Sequence, residues 1–431
     1  MNGFTSNYDY DIIIIGGGIA GLFTAYKLSQ TNKNIILFES SNKLGGKIKT
    51  IKNENISYEA GAARFHKSHE KILALIHELD LKNDIIDLPK NINHILRNKS
   101  SNYNYITNNN LILKELLNTT IESKNKTPKN ILEKLSFFQY LTMLFDNETA
   151  LFIKDSFGYD SEILHLNAYA ALYYHYDDLF KDNNYSILAN GLSQITDKLT
   201  DYLINKKNVI IKKNVSIKEI HEKHVITNKD DIFNFNTLIV AIPQKNLREI
   251  NYFKNILPFE AIKPINLLRI YAKYPTENLW FKNIQRTTTD NILRHIIPIN
   301  KKTGLIMISY TDDIYANMWN NNRKINKEFL IKTLHQQIYN IFNIKPPDPE
   351  FISSHYWEGG IHMWKPNNNI EKLYNNILKP NKDKEIYIIG ESFSKKQGWI
   401  EGVLETCFDI LKLLPLEGYK IYSTKSTVNN K

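Results

Sequence analysis

A chain of 431 residues has room for two ordinary domains, and 42% apolar with 23% charged residues marks a soluble globular protein rather than a disordered one. The net charge of +10 is scattered over many lysines, with no dense basic block and no repeat, which argues against nucleic-acid readout. A single cysteine, Cys407, excludes an internal disulfide and suits a reducing compartment. No apolar stretch approaches the roughly 20 residues that a bilayer span needs, and the short polar start, residues 1–9, has no signal-peptide architecture. The expected setting is cytoplasmic, without membrane contact.

The first informative segment is the continuous apolar run Asp11-Ile-Ile-Ile-Ile15, read as a parallel strand buried on both faces. Gly16-Gly-Gly18-Ile19-Ala20-Gly21 follows and opens a helix over 22–29, and a second apolar strand spans 34–38. Glycines at 16, 18 and 21 permit a tight turn, a backbone approach to a pyrophosphate, and close packing of helix on strand. Glu39 closes the second strand, 18 residues past Gly21, where a carboxylate accepts hydrogen bonds from an adenosine ribose, with Ser40 beside it. This βαβ unit predicts dinucleotide binding, and NAD and FAD use it equally. Just beyond, Lys43-Leu-Gly45-Gly46-Lys47-Ile-Lys-Thr50 offers a second glycine pair flanked by cations that can meet phosphate.

With this second glycine pair the chain resembles the FAD-dependent amine oxidase superfamily, which includes monoamine, polyamine and L-amino-acid oxidases, and it is nearest in pattern to the last. Lys47 stands where the family usually has arginine, and it supplies charge without the bidentate fork. Ile187-Leu-Ala-Asn190-Gly191-Leu-Ser-Gln is similar to the family's turn into a helix, and strands are expected at 209–217 and 237–243, with Val215 contacting the adenine through its backbone. Glu385-Ile-Tyr-Ile-Ile-Gly390-Glu391 and Gln397-Gly398-Trp399-Ile400-Glu401-Gly402, leading into an apolar helix over 403–413, resemble the strand, loop and helix that hold the flavin in the family. These distal segments imply FAD rather than NAD. In covalent members a cysteine follows the glycines of a motif that looks like Trp357-Glu-Gly359-Gly360-Ile361-His362 here; Ile361 occupies that position, so non-covalent FAD is expected and Cys407 is read as a packing residue.

The fold that the resemblance implies is α/β: a Rossmann-like FAD-binding domain from 1–66, 186–250 and 351–420, with an α+β substrate domain inserted in two segments, 67–185 and 251–350, and a polar tail at 421–431. In the substrate segments, helical patterning is expected at 72–79, 130–145 and 327–342, strands at 267–274 and 305–310, and an Asn-rich loop at 102–110.

The resemblance also nominates the reacting centre. Trp399 and His362 match two aromatic positions in front of the flavin, with a histidine of no catalytic duty as the plainer alternative for His362. Arg269 matches a lysine that many members bridge to the flavin through water; a different register would put Leu268 or Lys273 there. In Tyr58-Glu-Ala-Gly61-Ala62-Ala63-Arg64, Arg64 falls on the arginine that grips the substrate carboxylate in L-amino-acid oxidases, while the neighbouring glycine and alanines lie against cofactor; service to the FAD phosphates or to a structural acid is the competing role. Tyr173, Tyr174, His175 and Tyr176 are candidates to line the pocket, Tyr174 foremost, although such a cluster is more often packing. The implied reaction is oxidation of the C–N bond of an L-amino acid or amine to an imine, with O2 as acceptor and peroxide as product. A flavin desaturase or porphyrinogen-type oxidase, and an FAD-binding scaffold without turnover, are the alternatives. No metal site is expected, and a homodimer is left open.

Overall fold

The computed structural model describes residues 7–53, 56–96 and 109–414. The isoleucine-rich strand Asn7–Ile15 lies at the middle of a seven-stranded sheet, which is why Ile12 to Ile15 are all buried. Ile35–Glu39 pairs with it in parallel on one side and Ile232–Val240 in parallel on the other. Val209–Lys213 extends the first flank and Ile386–Ile388 joins the second, both in parallel, while the hairpin Ile217–Ile220 and His224–Thr227 adds an antiparallel edge. Parallel strands need covering on both faces. The helix Ile19–Leu28, with nine of its ten residues buried, is clamped between Ser193–Ile204 and Ile400–Leu413, and a helix apolar all round requires that setting.

A second, six-stranded sheet runs in the order Phe351–Trp364, Ile262–Lys273, Leu305–Asp312, His295–Asn300, Thr287–Thr289 and Asn93–Ile95. Its pairings are antiparallel except the last. Along Ile262–Lys273 side chains alternate: Leu268, Ile270 and Ala272 pack with Trp319, Leu330, Leu334 and Ile338 of the two helices Asp313–Ile325 and Lys327–Phe342, whereas Leu267, Arg269 and Tyr271 face a cavity between this sheet and the first. The strand Phe351–Trp364, expected in the first domain, is an edge of this second sheet, pairing with Ile262–Lys273 on either side of a register shift that leaves residues 358–360 unpaired.

The helical pattern expected at 130–145 is two helices, Lys129–Leu132 and Phe137–Leu144. Ser136 interrupts it with a capping box: its hydroxyl accepts the Gln139 N–H at 3.2 Å, and the Gln139 side chain accepts the Ser136 N–H at 2.9 Å. The helix Lys327–Phe342 has the expected bounds. The Asn-rich stretch 102–110 lies outside the described residues up to 108, and Asn109 begins the helix Asn109–Ser123. The 421–431 tail is also outside them. Among the described residues no helix is long and apolar enough to cross a membrane.

Candidate active site

The cavity between the sheets has a volume of about 1400 Å3 and runs from the carboxyl ends of the parallel strands to the start of the last helix. At the first end the glycine turn is drawn tight: a Cβ on Gly21 would sit 1.9 Å from the Gly16 carbonyl oxygen, so only glycine lets the helix pack this close. Gly16, Gly18, Ile19 and Ala20 line the cavity, while Gly21 lies behind them. The Glu39 carboxylate accepts the N–H groups of Gly17 and Ser41, each at 2.8 Å, and Glu39 and Ser40 form the adjoining wall. The second glycine pair docks on the first loop, Gly45 donating to the Gly17 carbonyl at 2.8 Å; Gly46 lines the cavity and Gly45 supports it. Val215 closes this end, its N–H bonded to the Glu39 carbonyl at 3.0 Å.

Across the cavity, Gly390 and Glu391 follow the strand Ile386–Ile388. Glu391 is fully engaged. One carboxylate oxygen accepts the backbone N–H of His362 at 2.8 Å and of Gly398 at 3.0 Å, and the other meets His362 Nδ1 at 2.7 Å and Lys47 Nζ at 3.3 Å. Burial alone would raise its pKa, but His362 and Lys47, with these hydrogen bonds, hold it down to about 2. Lys47 also donates to the Gly359 carbonyl at 3.0 Å, so its charge ties the second glycine loop to the C-terminal segment.

The third wall is aromatic and cationic. Trp399 caps the helix Ile400–Leu413 and stands parallel to Tyr185 with centroids 6.0 Å apart. The Arg64 guanidinium lies over Tyr185 at 4.2 Å, with Tyr159 at 5.7 Å and Trp399 at 5.9 Å, and it donates to the Tyr159 hydroxyl at 3.2 Å. Among the described residues it forms no ion pair with an acid. Arg269 is otherwise occupied. Its guanidinium donates to the carbonyls of Gly61 and Glu59 and rests over Tyr310 at 4.4 Å, locking the turn whose residues Gly61, Ala62 and Ala63 line the cavity.

A search of protein families matches residues 19–407 to the flavin-containing amine oxidoreductases. The chain belongs to this family. An uncharacterized protein of Acanthamoeba polyphaga mimivirus is 22% identical to it over 94% of this chain and 93% of its own. Amine oxidase [flavin-containing] A of Bos taurus is 29% identical over 92 residues, and achacin of Lissachatina fulica 38% over 77, each match under a quarter of either chain. Among solved structures, a putrescine oxidase triple mutant superposes with a TM-score of 0.72 at 15% identity, covering 95% of this chain and all of that one. A protein of Exiguobacterium sp. 255-15 described as a protoporphyrinogen oxidase gives 0.71 at 13% identity, covering 95% and 99%. At that identity the likeness is one of fold.

The residues present fit the flavin that the family uses. Gly390 has φ +122°, and a Cβ placed on it would meet nothing within 4 Å, so the backbone there is bare toward the cavity. Trp399 and Ile400 bring the free N–H groups of a helix start to the same wall. The volume exceeds the roughly 300–1,000 Å3 of a pocket for one drug-sized ligand, leaving room for a flavin and a substrate together.

Several nominated side chains stand elsewhere. His362 is buried behind the cavity wall on Glu391, because the alternation of its strand turns Ile361 and Met363 inward and the histidine outward; it is not part of an aromatic pair with Trp399. Tyr174 points to Glu371, its hydroxyl 3.5 Å from the carboxylate, and packs in the helical layer; Tyr173 is exposed. Of the three candidates for the family lysine position, Arg269 alone lines the cavity: Leu268 faces the helices and Lys273 pairs with Glu350. His175 does reach the wall. Both its ring nitrogens are buried without a hydrogen-bond partner, Nδ1 lying 3.9 Å from the Asp178 carboxylate, and burial pulls its pKa down to about 4, which keeps it neutral at pH 7. Tyr159, Glu162, Tyr310 and Arg286 complete the substrate end without having been nominated, since no local motif marks them and distant segments bring them together.

Proposed function

We propose that the protein is an oxidase of L-amino acids that carries FAD without a covalent bond. The observation that supports this reading is the Arg64 guanidinium, set in the cavity wall beside Trp399 with aromatic neighbours and, among the described residues, no acid to neutralise it. A substrate carboxylate supplies the missing partner, and the fork of the guanidinium then orients the α-carbon. When bound, flavin supplies the acceptor for the hydride equivalent leaving that carbon; the imine so formed is hydrolysed to a keto acid and ammonia, and O2 takes the electrons as peroxide. The chain's own contribution is to favour the neutral amine. Trp399, Tyr185 and Tyr159 give walls that disfavour an ammonium ion, and the neutral His175 adds no charge. Arg269 serves as a positioning residue for the 59–63 turn.

Non-covalent attachment is supported by Ile361 at the cavity wall and by Cys407 in the core, its sulfur 3.6 Å from the Ala20 carbonyl. The charged guanidinium in the pocket speaks against a desaturase of an uncharged substrate, which would favour an apolar wall. The test is anaerobic titration of the yellow protein with amino acids and with the matching amines lacking the carboxylate. Amino acids are expected to bleach the flavin. Arg64→Lys is expected to raise KM for amino acids by roughly 10- to 100-fold while leaving matched amines little changed. No bleaching by any amino acid, or an equal effect on both series, would overturn the reading.

A further inference from the structure

Arg64 is not the only unneutralised cation at the substrate end. Arg286, immediately before the strand Thr287–Thr289, lines the same cavity, and its Nε is buried without a hydrogen-bond partner. Both guanidinia converge on one phenol: Arg64 donates to the Tyr159 hydroxyl at 3.2 Å, and Arg286 has the same hydroxyl as its polar neighbour. Among the described residues neither arginine forms an ion pair. The contrast is Arg294, close by, which is paired with Asp160 at 2.8 Å and Asp155 at 3.5 Å.

The acids and bases around the pair do not balance it. Glu162 lines the cavity, but it pairs with neither guanidinium: its Oε2 is buried without a hydrogen-bond partner, and burial and then the charge of Asp312 push its carboxyl well above the usual range. His295 is held well below its ordinary value by burial and then by Arg286, Arg294 and Arg64, so it adds no charge. Burial, and after it the charge of Arg64, draws Arg286 down to about 10, still cationic at pH 7. Arg64 and Arg286 therefore present two guanidinia to the cavity with no acid paired to either among the described residues, whereas Arg269 at the same wall is spent on the Glu59 and Gly61 carbonyls. One carboxylate would leave one charge unmatched, and two would neutralise both. The two positions also differ: Arg64 meets Trp399, at the flavin end, whereas Arg286 joins the set through Tyr159 and borders Ile284, Gln285 and Ile297.

We propose that the substrate is an amino acid with a second acidic group, the aspartate or glutamate class, Arg64 holding the carboxylate beside the reacting carbon and Arg286 the side-chain acid. This rests on the amino-acid reading of the site and is tested apart from it. Binding of glutarate and of butyrate to the purified flavoprotein is measured by calorimetry, alongside anaerobic bleaching by glutamate and by glutamine. Glutarate is expected to bind at least about tenfold more tightly than butyrate, and Arg286→Gln to erase that preference. Arg286→Lys, which keeps the charge and loses the fork, is expected to retain a preference of a few-fold and guards against a Gln variant that fails to fold. Equal affinity for the two acids, or a preference that survives Arg286→Gln, would overturn the proposal even if amino acids bleach the flavin. Tight glutarate binding with no bleaching by any amino acid would instead overturn the oxidation reading and support the two-anion site.

Discussion

The two ends of the cavity are built in different ways. At the end formed by the parallel sheet the surface is largely backbone: the turn 16–21, the 45–46 pair and Gly390 present N–H groups and bare chain, and Glu39 is held by the N–H groups of Gly17 and Ser41. At the other end it is side chains, with Arg64, Tyr159, Tyr185, Arg286 and Tyr310 arriving from five separate segments and meeting through rings and guanidinia. A backbone surface suits a cofactor common to a whole family, because its geometry survives changes of side chain. A side-chain surface suits a substrate, because each substitution retunes charge and shape.

Three measurements break or sharpen that contrast. The largest effect is expected from Trp319→Ala, which empties a fully buried site behind the second sheet and removes the indole bond to the Ile292 carbonyl at 2.9 Å. A loss of about 3–5 kcal/mol in urea unfolding is expected, with flavin still bound to the protein that remains folded; loss of flavin at equal stability would show that the two ends are not separable. Gly21→Ala acts on the first end. Its methyl would overlap the Gly16 carbonyl oxygen, 1.9 Å away, and about 3 kcal/mol of destabilisation is expected, accompanied by purification without yellow colour; retained flavin would mean that the turn relaxes without harm.

The smallest effect is a pH dependence carried by the second end. The pKa of His175 is lowered to about 4 by burial, so between the unfolded value of about 6.5 and 4 the unfolded chain takes up a proton that the folded chain refuses. Stability attributable to this residue is full above that window and falls as the pH falls through it, by up to about 3 kcal/mol. His175→Gln should flatten the decline between pH 7 and pH 4 relative to wild type, and parallel curves for the two proteins would count against a buried neutral ring. Glu391 shifts in a different window: held at about 2, it contributes stability above the ordinary carboxylate range that is lost as the pH drops toward 2.

Much of the first end was legible because it is local. Strand, glycine turn, helix, second strand and acid follow one another within residues 7–39, and each step constrains the next through backbone sterics alone. The strand, loop and helix at 386–413 are equally compact. Residues whose role depends on which way a strand faces were harder to place. His362 and Ile361 are adjacent, and only the pairing of Phe351–Trp364 with Ile262–Lys273 decided which of them looks into the cavity. Tyr174 and His175 pose the same problem on a helical turn, where the histidine reaches the wall and the tyrosine turns to Glu371.

By itself the sequence determined the βαβ unit, the likeness to a flavin family and the isolation of Cys407, because each is written in neighbouring residues or in composition. The tertiary structure alone decided that Arg269 clamps the 59–61 backbone, that His362 serves Glu391, and that Arg286 stands with Arg64 around Tyr159. Those relations join residues tens to hundreds of positions apart. Their energy comes from burial and from the matching or mismatching of charge, which exist only once the two sheets enclose a common space.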